Sequence, residues 1–269
     1  MRNEQKVFES VLKRCRLANL TLKPSKLEVF PTSTTLFGWT LKNSLLSPTV
    51  HTTSALAHAP LPKTVRQMRG FLGSFKQFSQ CVQRYGEILC KLEALTGSNK
   101  KGPERIEWTK ELEDVFYQAR EATKNVEAFA IPRPTDQLFT YSDFSRDKKA
   151  IGGKLEFERK MPNGEVRRFL GGYFSLIIAA FRALWWPCEG EGFAVKMVLE
   201  HFERYIRENF NITIHFTDNM PVIDAWKRAR KGAFSSNARL CTFLMAVVNY
   251  PIELRHKAGK EMLTTDYFS

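Results

Sequence analysis

One stretch of the chain, WWPCEGEGFAVKMVLEHFERYI from Trp185 to Ile206, restricts what it can fold into more than any other. Its apolar residues recur at helical spacing, with Val195, Val198, Phe202 and Ile206 on one stripe, and Glu191 sits one turn before Val195 on that stripe. A carboxylate on a core-facing stripe is costly unless a cation or metal ion meets it. A glutamate at a helix start also has an ordinary reading, attraction to the positive end of the helix dipole. Glu189 lies roughly 200° round the helix from Glu191 and is expected in solvent. The fold must therefore lay an amphipathic helix on a core and give Glu191 something to face.

Lys and Arg number 41 against 28 Asp and Glu, a formal net charge of +13 over 269 residues. Such an excess points to a polyanionic partner, nucleic acid before others. An anionic membrane surface also suits a basic chain, but no apolar run reaches the length of a spanning helix; the most apolar, Phe174 to Trp186, is broken by Arg182, and no membrane partner is expected. The opening MRNEQKVFES has no signal-peptide core. Cys15, Cys81, Cys90, Cys188 and Cys241 are odd in number and form no CxxC or CxxH pair. Neither a disulfide framework nor a zinc site is indicated, and a reducing, intracellular and cytoplasmic setting is expected.

With 43% hydrophobic residues the chain can build one large core or two small ones. Val7 to Ala18 reads as a helix, Leu27 to Phe30 and Thr35 to Leu41 as strands, with turns at Pro31, Gly38 and Ser44 to Pro48. This block is too small for a core of its own. Pro60 and Pro62 set up a helix at Lys63 that buries Val65, Met68, Leu72, Phe75 and Val82, and a second helix runs from Glu87 to Leu95, closed by Gly97. Ser98 to Pro103 reads as a hinge. Thr109 caps a helix with Leu112, Val115, Phe116 and Ala119 on one face, and Ile131 to Asp136 (IPRPTD) marks the main boundary. Beyond Gln137 come strands over Leu138 to Ser142, Ile151 to Arg159, Glu165 to Phe174, Asn211 to Thr217 and Pro251 to His256, with a hairpin turn at Met161 to Gly164. Three strands joined by short turns, then strands alternating with helices, predict an α/β (α+β) unit with a mixed five-stranded sheet and helices on both faces.

Strand alternation lines up Phe139, Tyr141 and Asp143, and likewise Ile212, Ile214, Phe216 and Asp218, so each row of apolar residues ends in an aspartate. Strand ends are often polar, and either aspartate alone has that ordinary reading. Together with Glu191, and with Asp266 after the loop HKAGKE, they form a carboxylate set that cannot crowd together as anions unless divalent cations hold it. Hard oxygen ligands suit Mg²⁺, and two such ions would clamp the attacking and leaving oxygens of a phosphodiester.

The segments YSDF (Tyr141 to Phe144), WPCEGEGFAV (Trp186 to Val195), FTDN (Phe216 to Asn219) and HKAGKEMLTTDYFS (His256 to Ser269) resemble the four acidic motifs of the ribonuclease H domain in long-terminal-repeat retrotransposons of the Ty3/gypsy type. The resemblance implies an RNase H-like fold, cleavage of the RNA strand of RNA/DNA hybrids, and Asp143, Glu191, Asp218 and Asp266 as ligands of two Mg²⁺ ions, Mn²⁺ being the alternative. Tyr173 takes the place of the tyrosine in the family's AYAS motif, 18 residues before Glu191 as in that pattern. His256 resembles the mobile-loop histidine of ribonucleases H, a proton shuttle or product-release group; a strand-end histidine is its ordinary reading. Upstream, VFESVLKRCRLANLTLKPSKLEVF and LFGWTLKNSLLSP resemble the end of a reverse-transcriptase palm with its primer-gripping hairpin, MRGFLGSFKQF the thumb, and IEWTKELEDVFYQAREA the connection. The implied organisation is 1–60 palm end, 61–97 thumb, 98–134 connection and 135–269 RNase H-like domain. RNA/DNA hybrid, DNA and the rest of the Pol polyprotein are the implied partners, with a virus-like particle or the nucleus as further locations.

Departures bear on these expectations. The polymerase YxDD motif is absent, and Tyr141-Ser142-Asp143-Phe144 does not replace it, so DNA synthesis by this chain alone is not expected. Gly192 stands where the family has leucine, which loosens that helix turn by roughly 1 kcal/mol. Ser269 follows Asp266 closely, so the last helix is expected to be short. On the thumb, Arg69, Gly73 and Gln77 share a face away from Val65, Met68 and Leu72. A minor groove approaching Gly73 would explain a glycine there, with Lys63, Arg66, Lys76 and Arg84 near phosphates and Asn219 beside Asp218 also on nucleic acid; a solvated basic face with a tight helix crossing at Gly73 is the competing reading. Besides a hybrid nuclease, the sequence admits an inactive nucleic-acid-binding remnant. A transposase or integrase on a related fold would lack a glutamate on its first helix, which Glu191 disfavours.

Overall fold

The computed structural model describes residues 2–29, 31–97, 99–179, 184–233 and 236–259; Asp266 and the expected last helix lie outside them. Helix α1 (Arg2–Leu17) leaves Val7, Val11, Leu12 and Leu17 exposed. After it the sequence reading needs correction. Leu27 to Val29 carry no strand, following a single 3₁₀ turn at Pro24–Lys26, and Phe30 is outside the described residues. The expected strand from Thr35 to Leu41 is two, β1 (Ser33–Leu36) and β2 (Trp39–Lys42), because Phe37 and Gly38 both take positive φ and close a two-residue hairpin. Asn43 and Ser44 do the same one strand later, so the expected turn from Ser44 to Pro48 is instead strand β3 (Leu45–Pro48). Pro48 is tolerated because it ends the strand.

Helix α2 (Val50–Ala57), capped by Thr49, was not legible from periodicity. Helix α3 (Val65–Lys76) begins at Thr64, whose hydroxyl accepts from the Gln67 N–H at 3.3 Å. It packs Met68, Phe71, Leu72 and Phe75 against Leu89 and Leu92 of α4 (Tyr85–Ala94) and Val115, Phe116 and Ala119 of α5 (Lys110–Ala122). Val82 joins this core from beyond the end of α3. Strand β4 (Phe129–Ala130) then adds to the amino-terminal sheet in the order β1-β2-β3-β4.

A second core begins at Ala130. Strands β5 (Gln137–Ser145), β6 (Ala150–Lys160) and β7 (Val166–Ile177) run antiparallel, and Gly164 at φ +85° turns the hairpin between the last two. The chain continues through α6 (Pro187–His201), α7 (Glu203–Glu208), β8 (Thr213–Thr217), α8 (Met220–Ala229), α9 (Ala238–Val247) and β9 (Ile252–His256). The five strands are ordered β7-β6-β5-β8-β9, with β8 parallel to both neighbours. Leu138, Leu155, Phe157, Val195, Val198, Leu199 and Trp226 pack between this sheet and its helices. The boundary segment before β5 is tied down by Asp136, 3% exposed, which accepts from Arg159 at 2.7 Å and from the Arg133 N–H at 2.7 Å. Removing one partner of such a buried pair strands the other charge.

Two glycines set how closely α6 lies. A Cβ on Gly190 would run into the ring of Phe144, and one on Gly192 into the tip of Leu240 on α9. Gly192 is therefore room for a neighbouring helix rather than a loosened turn. A ring cannot fold away, whereas a leucine methyl can change rotamer. Gly190→Ala should cost about 1–3 kcal/mol in urea unfolding, while Gly192→Ala should stay within about 1 kcal/mol of the parent, since the helix propensity of alanine offsets the Leu240 shift. Equal losses in the two variants would contradict this account of the α6 packing.

Candidate active site

Strands β5 and β8 pair in parallel with Tyr141 opposite Phe216, and their rings stack at 5.1 Å. Asp143 and Asp218 each follow by two residues, so the same alternation carries both carboxylates to one face at the carboxyl end of adjacent strands. The expected apolar row on β8 is not the buried one. Ile212 is exposed, while Thr213, His215 and Thr217 are fully buried. A polar row is tolerated because it is satisfied: His215 Nδ1 hydrogen-bonds with Thr140 Oγ1 at 2.9 Å and Nε2 with Ser142 Oγ at 3.0 Å. Burial pushes the imidazole down to about 3, so it bridges the two strands as a neutral ring. The matching Thr-x-Ser on β5 and Thr-x-His-x-Thr on β8 was the available signal for this residue.

Glu191, 7% exposed, reaches the same end of the sheet from the start of α6. The Phe144 N–H donates to its carboxylate, but Oε2 has no hydrogen-bond partner. Burial, then Asp218, then Asp143, raise its pKa to about 9. Burial and Asp218 likewise raise Asp143, with Arg84 and Lys148 opposing and Glu87 adding to the shift. Gly259 lies against the remaining member, a Cβ there standing 3.0 Å from Asp218 Oδ2. Glu189 is turned away from the aspartates but is not in solvent as expected. It is 5% exposed and folds back on the helix start, accepting from the Trp186 N–H at 3.0 Å, Asn237 at 3.2 Å and Arg239 at 3.0 Å. Burial opposes its charge, yet these donors outweigh it and hold its pKa below the usual range.

Among the described residues no three Asp, Glu, His or Cys side chains stand close enough to share one metal ion as they are. Asp143, Glu191 and Asp218 are nevertheless near enough to raise one another's pKa, and Glu191 keeps a buried oxygen unpaired. This donor set fits a hard divalent cation, which would satisfy that oxygen and relieve the repulsion. Asp266 lies outside the described residues. His256 is exposed at the end of β9, its backbone beside Thr217.

The basic residues divide by what already occupies them. Arg69 was expected on phosphate, but its guanidinium donates to the carbonyls of Thr96 at 3.2 Å and Lys100 at 2.8 Å, stapling α3 to the loop after α4. Gln77 donates to Phe37 O at 3.1 Å, and Asn219 caps α8 by accepting from the Val222 N–H at 3.2 Å. Lys76 pairs with Glu93 at 2.8 Å, an exposed pair that a phosphate can displace. Lys63 and Arg66 are exposed. A Cβ on Gly73 would meet nothing within 4 Å, so no tight helix crossing explains that glycine. Arg84 is set apart from α3 and lines, with Asp143, Gly152 and Lys154, a cavity of about 140 Å³ beside the carboxylates.

No protein-family model matches the chain. Solved structures do resemble it. Foamy viral protease-reverse transcriptase in complex with RNA/DNA hybrid superposes with a TM-score of 0.75 at 16% identity, over 96% of this chain and 34% of that one. The same protein in complex with dsDNA gives 0.73 at 16% over 96% and 51%, and the dRH form with ds DNA gives 0.74 at 16% over 95% and 43%. This chain thus spans between 34% and 51% of the length of those proteins. At such identity the likeness speaks for the fold, and over nearly its whole length the chain has the fold of part of a foamy viral protease-reverse transcriptase, with the mixed five-stranded sheet as its RNase H-like portion.

Proposed function

We propose that the chain is the ribonuclease H-bearing part of a retroelement Pol polyprotein, of the Ty3/gypsy type by its motifs, and that it cleaves the RNA strand of RNA/DNA hybrids. The observation that carries this reading is the convergence of Glu191, with its unpaired buried oxygen, on Asp143 and Asp218. Those three side chains would hold two Mg²⁺ or Mn²⁺ ions, with Asp266 as the fourth ligand. Bound divalent cations supply the charge that phosphodiester hydrolysis needs on its attacking and leaving oxygens. Glu191 would give up its proton on becoming a ligand, so that cation uptake would release protons near neutral pH. His256, exposed beside the strand that leads to Asp218, would move a proton at the rim. Lys63, Arg66 and Lys76 follow the nucleic-acid backbone along α3, and the 2′-hydroxyl distinguishes the RNA strand. The hybrid and duplex bound by the foamy viral proteins, together with a net charge of +13, support this class of partner.

A catalytically inactive hybrid-binding remnant is the second reading, favoured by the lack, among the described residues, of three such side chains grouped to hold one ion. Asp218→Asn separates the two, since it keeps the side-chain volume and removes one charge and one strong ligand. A nuclease should lose Mg²⁺-dependent hybrid cleavage by several orders of magnitude in this variant and still bind hybrid. A parent chain without Mg²⁺-dependent cleavage, whose melting temperature merely rises with Asp218→Asn, would establish the remnant.

The Glu191 proton gives a test that needs no substrate. Without metal the folded chain holds it up to about pH 9, against an ordinary value of 4.5, so the unfolded state releases it first. Stability is therefore full below pH 4.5 and lost as pH rises from there towards 9. Glu191→Gln should melt several degrees higher than the parent at pH 7–8 in chelator, a gain of about 3–5 kcal/mol, and match it near pH 4.5. Mg²⁺ should raise the melting temperature of the parent more than that of the variant. Parallel pH curves for the two proteins would show that Glu191 carries no such proton.

A further inference from the structure

Arg84 precedes α4 in a left-handed conformation, φ +55° and ψ +28°. Glycine or asparagine reaches this region readily; arginine does so only against steric resistance, and such outliers collect where a side chain is needed. The segment that carries it is seated on the five-stranded sheet as well as on the helical core behind it. The Gly86 N–H donates to Ser175 Oγ on β7 at 3.0 Å, and a Cβ on Gly86 would stand 2.5 Å from that hydroxyl. The Tyr173 hydroxyl donates to Glu127 at 2.7 Å and makes a second tie between the two regions.

Charge in this joint is unbalanced. The Glu87 carboxylate accepts from Arg84 Nε at 2.9 Å and from Lys148 Nζ, in the turn between β5 and β6, at 2.7 Å. One anion thus serves two cations beside the cavity that Arg84 shares with Asp143. The floor of the cavity is open: Gly152, opposite Asp143 in the β5–β6 ladder, has no heavy atom within 4 Å of where a Cβ would be. A glycine floor lets a sugar-phosphate backbone approach closely, and a guanidinium fork matches phosphate oxygens two at a time.

We propose that Arg84 belongs to the nuclease site: held by Glu87 at the mouth of the cavity beside Asp143, it takes a non-bridging phosphate oxygen of the hybrid, so that the region before the sheet completes the site. This inference rests on the hybrid-nuclease reading above.

Arg84→Gly tests it in the full chain, because glycine suits the left-handed backbone and the fold should melt no lower than the parent. Two readouts should move in opposite directions. Mn²⁺ affinity without nucleic acid, followed by electron paramagnetic resonance, should tighten by about threefold or more as cationic repulsion at Asp143 is lifted. Affinity for RNA/DNA hybrid in Ca²⁺ should fall, with the slope of log K against log salt smaller by about one unit. Arg84→Lys, which keeps the charge without the fork, should hold Mn²⁺ like the parent and recover part of the hybrid affinity. If Arg84→Gly changes neither affinity, Arg84 serves only the start of α4 and the proposal is wrong. Weaker hybrid binding with unchanged Mn²⁺ affinity places Arg84 on the α3 track instead and also overturns it. A parent chain that binds no Mn²⁺ and cleaves nothing defeats the nuclease reading and the proposal together, whereas silence of Arg84 in a Mn²⁺-binding parent defeats the proposal alone.

Discussion

Two parallel strands, β5 and β8, are joined behind their carboxyl ends by a histidine that carries no charge. His215 hydrogen-bonds with Thr140 on one ring nitrogen and Ser142 on the other, which adds a side-chain clamp to the backbone ladder where Asp143 and Asp218 emerge. A charged imidazole there would face no anion and would force the strands apart. Because the ring stays neutral, the two aspartates are held at one level, and α6 can bring Glu191 to them. Gly190 and Gly192 flank that glutamate and admit Phe144 and Leu240, so the helix start sits closer than a side chain at Gly190 would allow.

The carboxylate group is an electrostatic liability within an otherwise well-satisfied fold. Asp136 is more deeply buried than Glu191, yet Arg159 and a backbone N–H meet its charge. Glu189, two residues from Glu191 and equally sheltered, has a complete set of donors. Four buried acids around this sheet thus follow two rules: Asp136, Glu189 and Glu156, the last beside Lys154 at 2.8 Å and Arg168 at 3.5 Å, are met by the protein's own cations, and Glu191 is left waiting. That contrast identifies Glu191 more sharply than burial does.

Much of the second core was legible because its signals are local. The alternation in β5 to β7, the turn at Met161 to Gly164 and the apolar stripe of α6 are each contained in a short window, and the strand-end aspartates follow from alternation alone. What escaped depends on partners distant in sequence. Nothing near Arg69 announces the carbonyls of Thr96 and Lys100, and nothing near Glu189 announces Asn237 and Arg239. β8 read inside out because a polar row looks solvent-facing until its match on β5 is seen. The amino-terminal hairpins were misplaced for another reason: Phe37 and Ser44 adopt left-handed turns that their residue types do not advertise.

The two-residue strand β4 has a consequence for how this chain can be divided. Phe129 and Ala130 pair with Leu46 and Leu45, so residues far apart in sequence share one small sheet next to the second core. A version trimmed of its first 48 residues would keep every helix of both cores but uncover the β4 edge and the buried Phe129 beside it. Unpaired backbone next to an apolar side chain is a template for another chain. The amino-terminal strands thus act as a cover against self-association, and solubility would be lost before the fold.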